Sequence, residues 1–138
     1  MELSDSLKQY LTSELRNVAS KMSSEDPNSG TLAYWYSAAF GAVQRVLNIE
    51  YDRELVFIYG VLLHTHSNIA HPQSRANQVE IDGQSLFLYL GGLLAQLAES
   101  IDSNAEYTEL LVSISAAAYM ATGNGYYLWS GDPMNHKK

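Results

Sequence analysis

The spacing of hydrophobic and polar residues predicts five helices along the chain. In five segments the apolar residues recur three or four positions apart, which is the spacing of one face of an α-helix. The strongest prediction is the second helix, which has a wide apolar face (Leu32, Trp35, Tyr36, Ala39, Phe40, Val43, Val46, Leu47). Similar faces belong to the first helix (Leu3, Leu7, Leu11, Leu15, Val18, Met22), the fourth (Leu86, Leu90, Leu93, Leu97, Ile101) and the fifth (Tyr107, Leu110, Leu111, Ile114, Ala117, Ala118, Ala121). The sequence therefore predicts an all-α fold in which each helix buries one side.

The third predicted helix, at about residues 53–70, contains the most apolar run of the chain. Its residues 55–59 are apolar in every direction around a helix, which is typical of a helix surrounded by others. A buried strand is the alternative, because Val, Ile and Phe favour strands. The apolar pattern continues to residue 69, which is longer than a usual strand. We therefore predict a compact antiparallel bundle of four to five helices with the third helix at its centre.

Polar residues indicate where the later helices begin. Asp52 is expected to cap the third helix, and Asp82 is expected to cap the fourth, which begins at about residue 84. Ser103 and Glu106 have the spacing of a capping box, which predicts the start of the fifth helix. The polar residues 71–83 form the longest predicted loop, and long loops in compact domains are uncommon.

Two glycines, Gly91 and Gly92, lie inside the fourth predicted helix. Each destabilises a helix interior by about 1 kcal/mol relative to alanine. A compensating contact is therefore expected, and the simplest is the close approach of another backbone to this pair.

Length and composition restrict the class of protein. A chain of 138 residues is long enough for one domain, and we interpret residues 1–138 as a single helical domain. The chain contains no cysteine, which excludes zinc–thiolate sites, iron–sulfur clusters and thiol catalysis within it. The first residues do not have the pattern of a secretory leader, and no apolar stretch reaches the roughly 18 residues of a membrane span. We therefore expect a cytoplasmic protein that does not contact the membrane.

The charge pattern argues against direct binding of nucleic acid. The chain has a formal net charge of −7, and its eight lysines and arginines form no stripe along any segment. Proteins that bind nucleic acid need such a stripe to neutralise phosphates. Another protein, or a second copy of this one, is the expected partner.

A group of histidines is the one feature that suggests a metal site. On a helix His64 and His66 point to opposite sides, whereas His64 and His71 share a side. Glu99 and Asp102 could complete a site with His64 and His71. This gives an alternative function, a metal-dependent hydrolase or a small-ligand-binding helical bundle with a divalent metal ion. The other interpretation is that the histidines are polar or capping residues at a helix end, with no cofactor.

The sequence lacks the defining motifs of two families of small helical enzymes. Carboxylate pairs at the end of the fourth predicted helix and the start of the fifth resemble the magnesium-binding helices of all-α nucleotide pyrophosphohydrolases. That family carries a further Glu-x-x-Glu pair upstream, and here Glu80 is preceded by Asn77 in that place. The Arg-x(4–6)-His element of helical RNases of the HEPN type is also missing. We interpret the pairs as solvated helix ends.

Aromatic residues are abundant and favour a binding function. The chain contains ten tyrosines and two tryptophans, and these residues are typical anchors of protein interfaces. Trp35 and Tyr36 lie on the apolar face of the second helix and are predicted to be core. We assign to an interface one neighbouring residue and three near the C-terminus: Tyr34, Tyr126, Tyr127 and Trp129.

These observations favour a function without catalysis. We expect a binding or scaffolding protein that acts through helical and aromatic contacts, as a homo-oligomer or with another protein. The aromatic C-terminal segment is expected to pack back on the domain or across a dimer.

Overall fold

The computed structural model describes residues 1–24, 29–72 and 74–122, and this part of the chain is mostly helical. It contains five α-helices: α1 Asp5–Ser24, α2 Ser29–Ile49, α3 Arg53–Ile69, α4 Leu86–Ser103 and α5 Thr108–Thr122. The predicted helical class is therefore confirmed, and α3 is a helix and not the alternative strand.

Local signals account for the starts of α1 and α3. The Ser4 hydroxyl accepts a hydrogen bond from the Leu7 backbone N–H at 3.4 Å, and α1 begins at the next residue. The Asp52 carboxylate accepts from the Leu55 backbone N–H at 3.0 Å and caps α3, as predicted. A side-chain oxygen at this position satisfies one of the free N–H groups of the first helical turn.

The predicted apolar faces are largely buried. Leu11, Leu15, Val18 and Met22 of α1 lie in the core. The same holds for the predicted face of α5 from its second turn onward, namely Leu111, Ile114, Ala117, Ala118 and Ala121. α5 packs mainly on α3.

The prediction that α3 lies at the centre is wrong. α1 packs mainly on α4 and α2, whereas α3 packs mainly on α2 and α5. The buried residues of α3 lie on one side of the helix, and Val56 and Leu63 on the other side are 42% and 37% exposed. The continuous apolar run suggested burial all round because a single sequence does not show which of its faces meets a neighbour.

Long-range contacts fix the directions of two helix pairs. The Tyr107 hydroxyl, just before α5, donates to the Glu54 carboxylate at the start of α3. Beyond the opposite end of α3, the Arg75 backbone N–H donates to the Ala121 carbonyl at 2.7 Å. α3 and α5 are therefore parallel neighbours. In α1, Arg16 contacts Asp102 near the end of α4, and Ala19 lies against Gly91 in its middle, so α1 and α4 are antiparallel.

The predicted loop at residues 71–83 contains secondary structure. It includes a 3₁₀ turn, Ala76–Gln78, and the strand β1, Glu80–Ile81, which pairs with β2, Gln84–Ser85, in an antiparallel hairpin. Asp82 and Gly83 form the hairpin turn with φ angles of 54° and 79°. Asp82 is therefore not the cap of α4, and the Ser85 hydroxyl accepts from the Leu88 N–H at 3.3 Å instead.

The predicted capping box of the fifth helix is also wrong. Ser103 is the last residue of α4, and Asn104 ends that helix in the left-handed conformation with a φ of 59°. α5 begins only at Thr108. Asparagine tolerates the left-handed region better than most residues, which makes Asn104 a suitable helix terminator. Within the described ranges no helix is both long and apolar enough to cross a membrane.

Candidate functional site

The two predicted metal-binding carboxylates contact a cation of the protein itself. Glu99 and Asp102 lie three residues apart on α4 and accept hydrogen bonds from Arg16 Nη2 of α1 at 3.2 and 3.3 Å. All three side chains are substantially exposed. Exposed ion pairs contribute little to stability, because water screens them. The cluster therefore joins the surfaces of α1 and α4.

The two predicted metal-binding histidines lie elsewhere. His64 is in the second half of α3 and His71 follows the end of that helix. The end of α4, by contrast, lies beside the start of α3, where Ser100 and Val56 line the same groove. Over residues 1–24, 29–72 and 74–122, no three His, Asp or Glu side chains are placed to hold a metal ion. The structure does not bring His64 and His71 to Glu99 and Asp102.

The third histidine, His66, faces α2, on a different side of α3 from His64. Its ring lies edge-on to Phe40 with a centroid separation of 5.1 Å. Burial lowers the pKa of His66, and a hydrogen bond with the Ala33 backbone offsets part of this effect. A half-buried imidazole in an aromatic contact has a packing role, and its lowered pKa favours the neutral form.

Aromatic residues at the start of α2 are arranged partly as the sequence predicts, since Tyr36 is core and Trp35 only packs against it. Tyr36 is fully buried, whereas Tyr34 is 67% exposed. Trp35 is half-buried, with the Lys21 ammonium 5.2 Å from its ring centre and the Tyr34 ring edge-on at 5.0 Å. Tyr34 is therefore available for a contact. The other predicted interface residues, Tyr126, Tyr127 and Trp129, lie outside the described residues.

A groove that the sequence analysis missed lies between the start of α3 and the α4–α5 connection. We call it the Glu54 groove; its volume is about 920 Å³. Its lining includes Arg53, Glu54, Val56, Phe57, Ile101 and Tyr107. A second hollow of about 710 Å³ continues it along the start of α5 and shares Ser100, Glu106, Tyr107 and Thr108 with it. The groove is lined by apolar side chains and by charged groups of both signs, namely Arg53, Glu54, Glu106 and the amino group of Met1.

Glu54 is the polar centre of this groove. Its carboxylate accepts hydrogen bonds from the Met1 amino group at 2.7 Å and from the Tyr107 hydroxyl. The contact with the amino group, followed by that with Tyr107, lowers the pKa of Glu54. Burial, followed by the Glu54 hydrogen bond, raises the pKa of Tyr107. Glu54 is therefore ionised and Tyr107 protonated near neutral pH, which is the state that this hydrogen bond requires.

Among the described residues, the outer side of α3 and α5 forms a second, partly exposed surface. We define the α3–α5 face as Val56 and Leu63 of α3 with Val112, Tyr119 and Met120 of α5. Val56 and Leu63 are seven residues apart, as are Val112 and Tyr119, so each pair lies on one side of its helix. These side chains are 37–46% exposed. α3 and α5 are parallel neighbours, and each carries one apolar stripe on its exposed side.

The sequence contained only part of the information needed to find these surfaces. Leu63 and Val112 belong to apolar runs, but nothing in those runs marks an exposed face. Glu54 and Tyr107 are 53 positions apart and share no motif. No family model, curated protein or solved structure matches the chain. The functional argument therefore depends on the geometry of the chain itself.

Proposed function

We propose that this protein is a non-catalytic binding or scaffolding protein that acts through helical and aromatic protein–protein contacts as a homo-oligomer. The observation that carries the proposal is the α3–α5 face, where two parallel helices both leave apolar side chains partly exposed. Clustered apolar exposure of this kind marks contact surfaces, whereas isolated exposed apolar residues are common on any protein.

Aromatic residues support the same proposal. Tyr34 is mostly exposed beside the Trp35 and Lys21 contact, and tyrosine supplies a large contact area at a low cost in conformational entropy. We include Tyr126, Tyr127 and Trp129 as further contact residues, which meet either the bundle of their own chain or a second copy. The proposal also keeps a mainly antiparallel bundle, in which α3 and α5 are a parallel pair, with the C-terminal segment packed back on it or across a dimer.

The alternative function has less support. A metal-dependent hydrolase or small-ligand bundle would use His64, His71, Glu99 and Asp102, and Arg16 already contacts both carboxylates. Metal analysis of the purified protein separates the alternatives. A divalent ion that copurifies in stoichiometric amount would favour the alternative over the binding protein.

Sedimentation velocity at several micromolar concentrations tests the proposal. The chains compared are the full chain and a chain truncated after Gly125, with circular dichroism to verify that both are folded. We expect self-association in at least one of them. If both are monomers over the whole range, the homo-oligomer proposal is wrong.

A double variant tests whether the α3–α5 face is the surface through which the chains self-associate. Leu63→Glu with Val112→Glu places two carboxylates on the α3–α5 face and should abolish self-association. The matched control, Ser13→Glu with Ala95→Glu, places the same charges on exposed positions of α1 and α4 and should have no such effect. Equal loss in both variants would show that added charge, and not the face, is responsible.

A further inference from the structure

The α3–α5 face has an apolar half and an acidic end. Leu63, Val112 and Met120 are exposed along it. Toward the start of α5, Glu106 and Glu109 are exposed beside the Glu54 groove. A segment that covers the whole surface should therefore be aromatic or aliphatic in one part and basic in another.

Residues 123–138 of the same chain have this order of residues. Tyr126, Tyr127, Leu128 and Trp129 form an apolar run, and Lys137 and Lys138 follow near the C-terminus. We propose that this C-terminal segment docks in cis on the α3–α5 face. Its aromatic run covers Leu63 and Val112, and its lysines lie near Glu106 and Glu109. The inference rests on the proposed function, because it names an occupant for the same contact surface.

The length of chain permits this placement. α5 ends at Thr122, and Val112 lies ten residues earlier, about 15 Å along the helix at 1.5 Å per residue. An extended chain covers about 3.3 Å per residue, so four or five residues after a turn reach the level of Val112. Gly123, Asn124 and Gly125 are residues that favour a tight turn. Reversal at these residues brings the aromatic run beside the second half of α5.

Charge also favours a C-terminal segment that runs back along α5 toward its start. Glu106 and Glu109 have no lysine or arginine within four residues in sequence, and among the described residues Arg53 lines the same groove as Glu106. Lys137 and Lys138 would add two positive charges opposite Glu106 and Glu109. Each exposed pair contributes less than about 1 kcal/mol. Apolar contact therefore supplies most of the stabilisation, and charge selects the direction of the segment.

Docking in cis regulates the proposed self-association. A segment attached directly to α5 has an effective concentration in the millimolar range at the face. It therefore competes with a second copy for Leu63 and Val112. Truncation after Gly125 removes the competitor, so the truncated chain should self-associate more strongly than the full chain.

Paired cysteines in the full chain test the placement directly, because the natural chain has no cysteine. Ser113→Cys on α5 is combined with Ser130→Cys, which lies next to Trp129 in sequence. A disulfide requires the two Cα atoms to approach within about 7 Å, and both replacements are nearly isosteric. The control pairs Ser130→Cys with Ser13→Cys on α1, a helix that packs mainly on α2 and α4.

The expected result is a rapid intramolecular disulfide in the Ser113 pair and at least tenfold slower oxidation in the control pair. Non-reducing electrophoresis and mass spectrometry separate crosslinked monomers from dimers. Equal rates in the two pairs would overturn the inference, as would a product that is mainly an intermolecular dimer.

The disulfide experiment and sedimentation together distinguish failure of docking in cis from failure of the proposed homo-oligomer. An intermolecular disulfide would contradict docking in cis while supporting a homo-oligomer. An intramolecular disulfide in a protein that sediments as a monomer with and without residues 126–138 would support docking and contradict the homo-oligomer.

Variants that neutralise Glu106 and Glu109 test whether charge contributes to docking of the C-terminal segment. Glu106→Gln with Glu109→Gln should slow the intramolecular oxidation at least twofold at low salt and have a smaller effect at high salt. Glu80→Gln with Asp82→Asn, in the β1–β2 hairpin, is the matched control and should leave the rate unchanged. A slower rate in both variants would contradict a specific role of Glu106 and Glu109.

Discussion

The Ala19 carbonyl oxygen of α1 lies 3.3 Å from the position that a Cβ atom on Gly91 would occupy. The Met22 Cβ is 3.4 Å from the same point. The glycine therefore lets α1 and α4 approach more closely than any larger residue would. For Gly92, next in sequence, no atom lies within 4 Å of the corresponding point. The predicted close backbone approach is confirmed for Gly91 and not found for Gly92.

Alanine at the two glycines should therefore have different effects. Gly92→Ala should raise the free energy of unfolding by about 1 kcal/mol, because alanine favours the helix and the added methyl group meets open space. Gly91→Ala gains the same propensity but forces α1 away, so we expect it to be at least about 1 kcal/mol less stable than Gly92→Ala. Urea unfolding of both variants measures the difference. Equal stabilisation would contradict the tight α1–α4 contact.

The hydrogen bond between Tyr107 and Glu54 should give a pH-dependent contribution to stability. The pKa of Glu54 is lowered in the folded state, mainly by the Met1 amino group and then by Tyr107. Its contribution is therefore present above the unfolded pKa and is lost as the pH falls through the folded pKa. Tyr107→Phe should cost about 0.5 to 1 kcal/mol at neutral pH, since the pair is largely exposed, and less at pH 3.

Urea unfolding at pH 7 and pH 3, with NMR titration of the Glu54 carboxyl, measures this effect. The pKa of Glu54 should move upward in the Tyr107→Phe variant. Tyr89→Phe on α4 is a suitable control, because Tyr89 has no hydrogen bond to a carboxylate among the contacts described above. A loss in stability that is the same at both pH values would show that packing, and not the ionised hydrogen bond, causes it.

Arg16 should contribute little to the free energy of unfolding, although it contacts two carboxylates. All its contacts with Glu99 and Asp102 are exposed, and such pairs are screened by solvent and salt. Arg16→Gln should lower the free energy of unfolding by less than about 1 kcal/mol, and the loss should shrink at 1 M salt. A loss that is larger, or independent of salt, would contradict this assignment.

Divalent metal ions should leave the melting temperature unchanged. A ligand that binds only the folded state raises its stability by an amount that grows with the logarithm of the ligand concentration above the dissociation constant, and His64, His71, Glu99 and Asp102 do not converge. Thermal unfolding with added zinc, manganese or magnesium, compared with a chelator, measures this. A clear upward shift with one ion, abolished by His64→Ala, would support the alternative function.

Tyr36 gives a prediction about the core. Its ring is fully buried, and burial raises the pKa of the phenol. Its hydroxyl lies near Thr65 but makes no hydrogen bond to the described residues, and Thr65 donates to the Val61 carbonyl. Tyr36→Phe removes a polar atom that is costly to bury, so we expect a change within about 1 kcal/mol in either direction. Tyr36→Ala should cost about 3 to 5 kcal/mol by leaving a cavity.

Local signals predicted the helices well. The faces of α1 and α5 are buried as predicted, and α3 begins at Arg53 after the predicted cap Asp52. These features depend on residues within one or two helical turns, so a single sequence contains them. The short hairpin was missed although Asp82-Gly83 is a turn sequence, because the strands beside it are only two residues long.

Capping at the α4–α5 boundary shows the limit of motif spacing. Ser103 and Glu106 have the spacing of a capping box, yet Ser103 donates to the Glu99 carbonyl inside α4. Asn104 ends the helix first, and the next one begins four residues later. Two competing local patterns were present, and sequence spacing alone does not decide between them.

The sequence by itself determined that this protein is helical, where most helices lie, and which side of each is apolar, because these properties arise from interactions between residues close in sequence. Only the tertiary structure decided which helices are neighbours. That choice left the described side chains of the α3–α5 face partly exposed, brought Tyr107 to Glu54 and separated His71 from Asp102. Each outcome depends on how whole helix surfaces fit together, and that fit is a property of the packed chain and not of any segment in it.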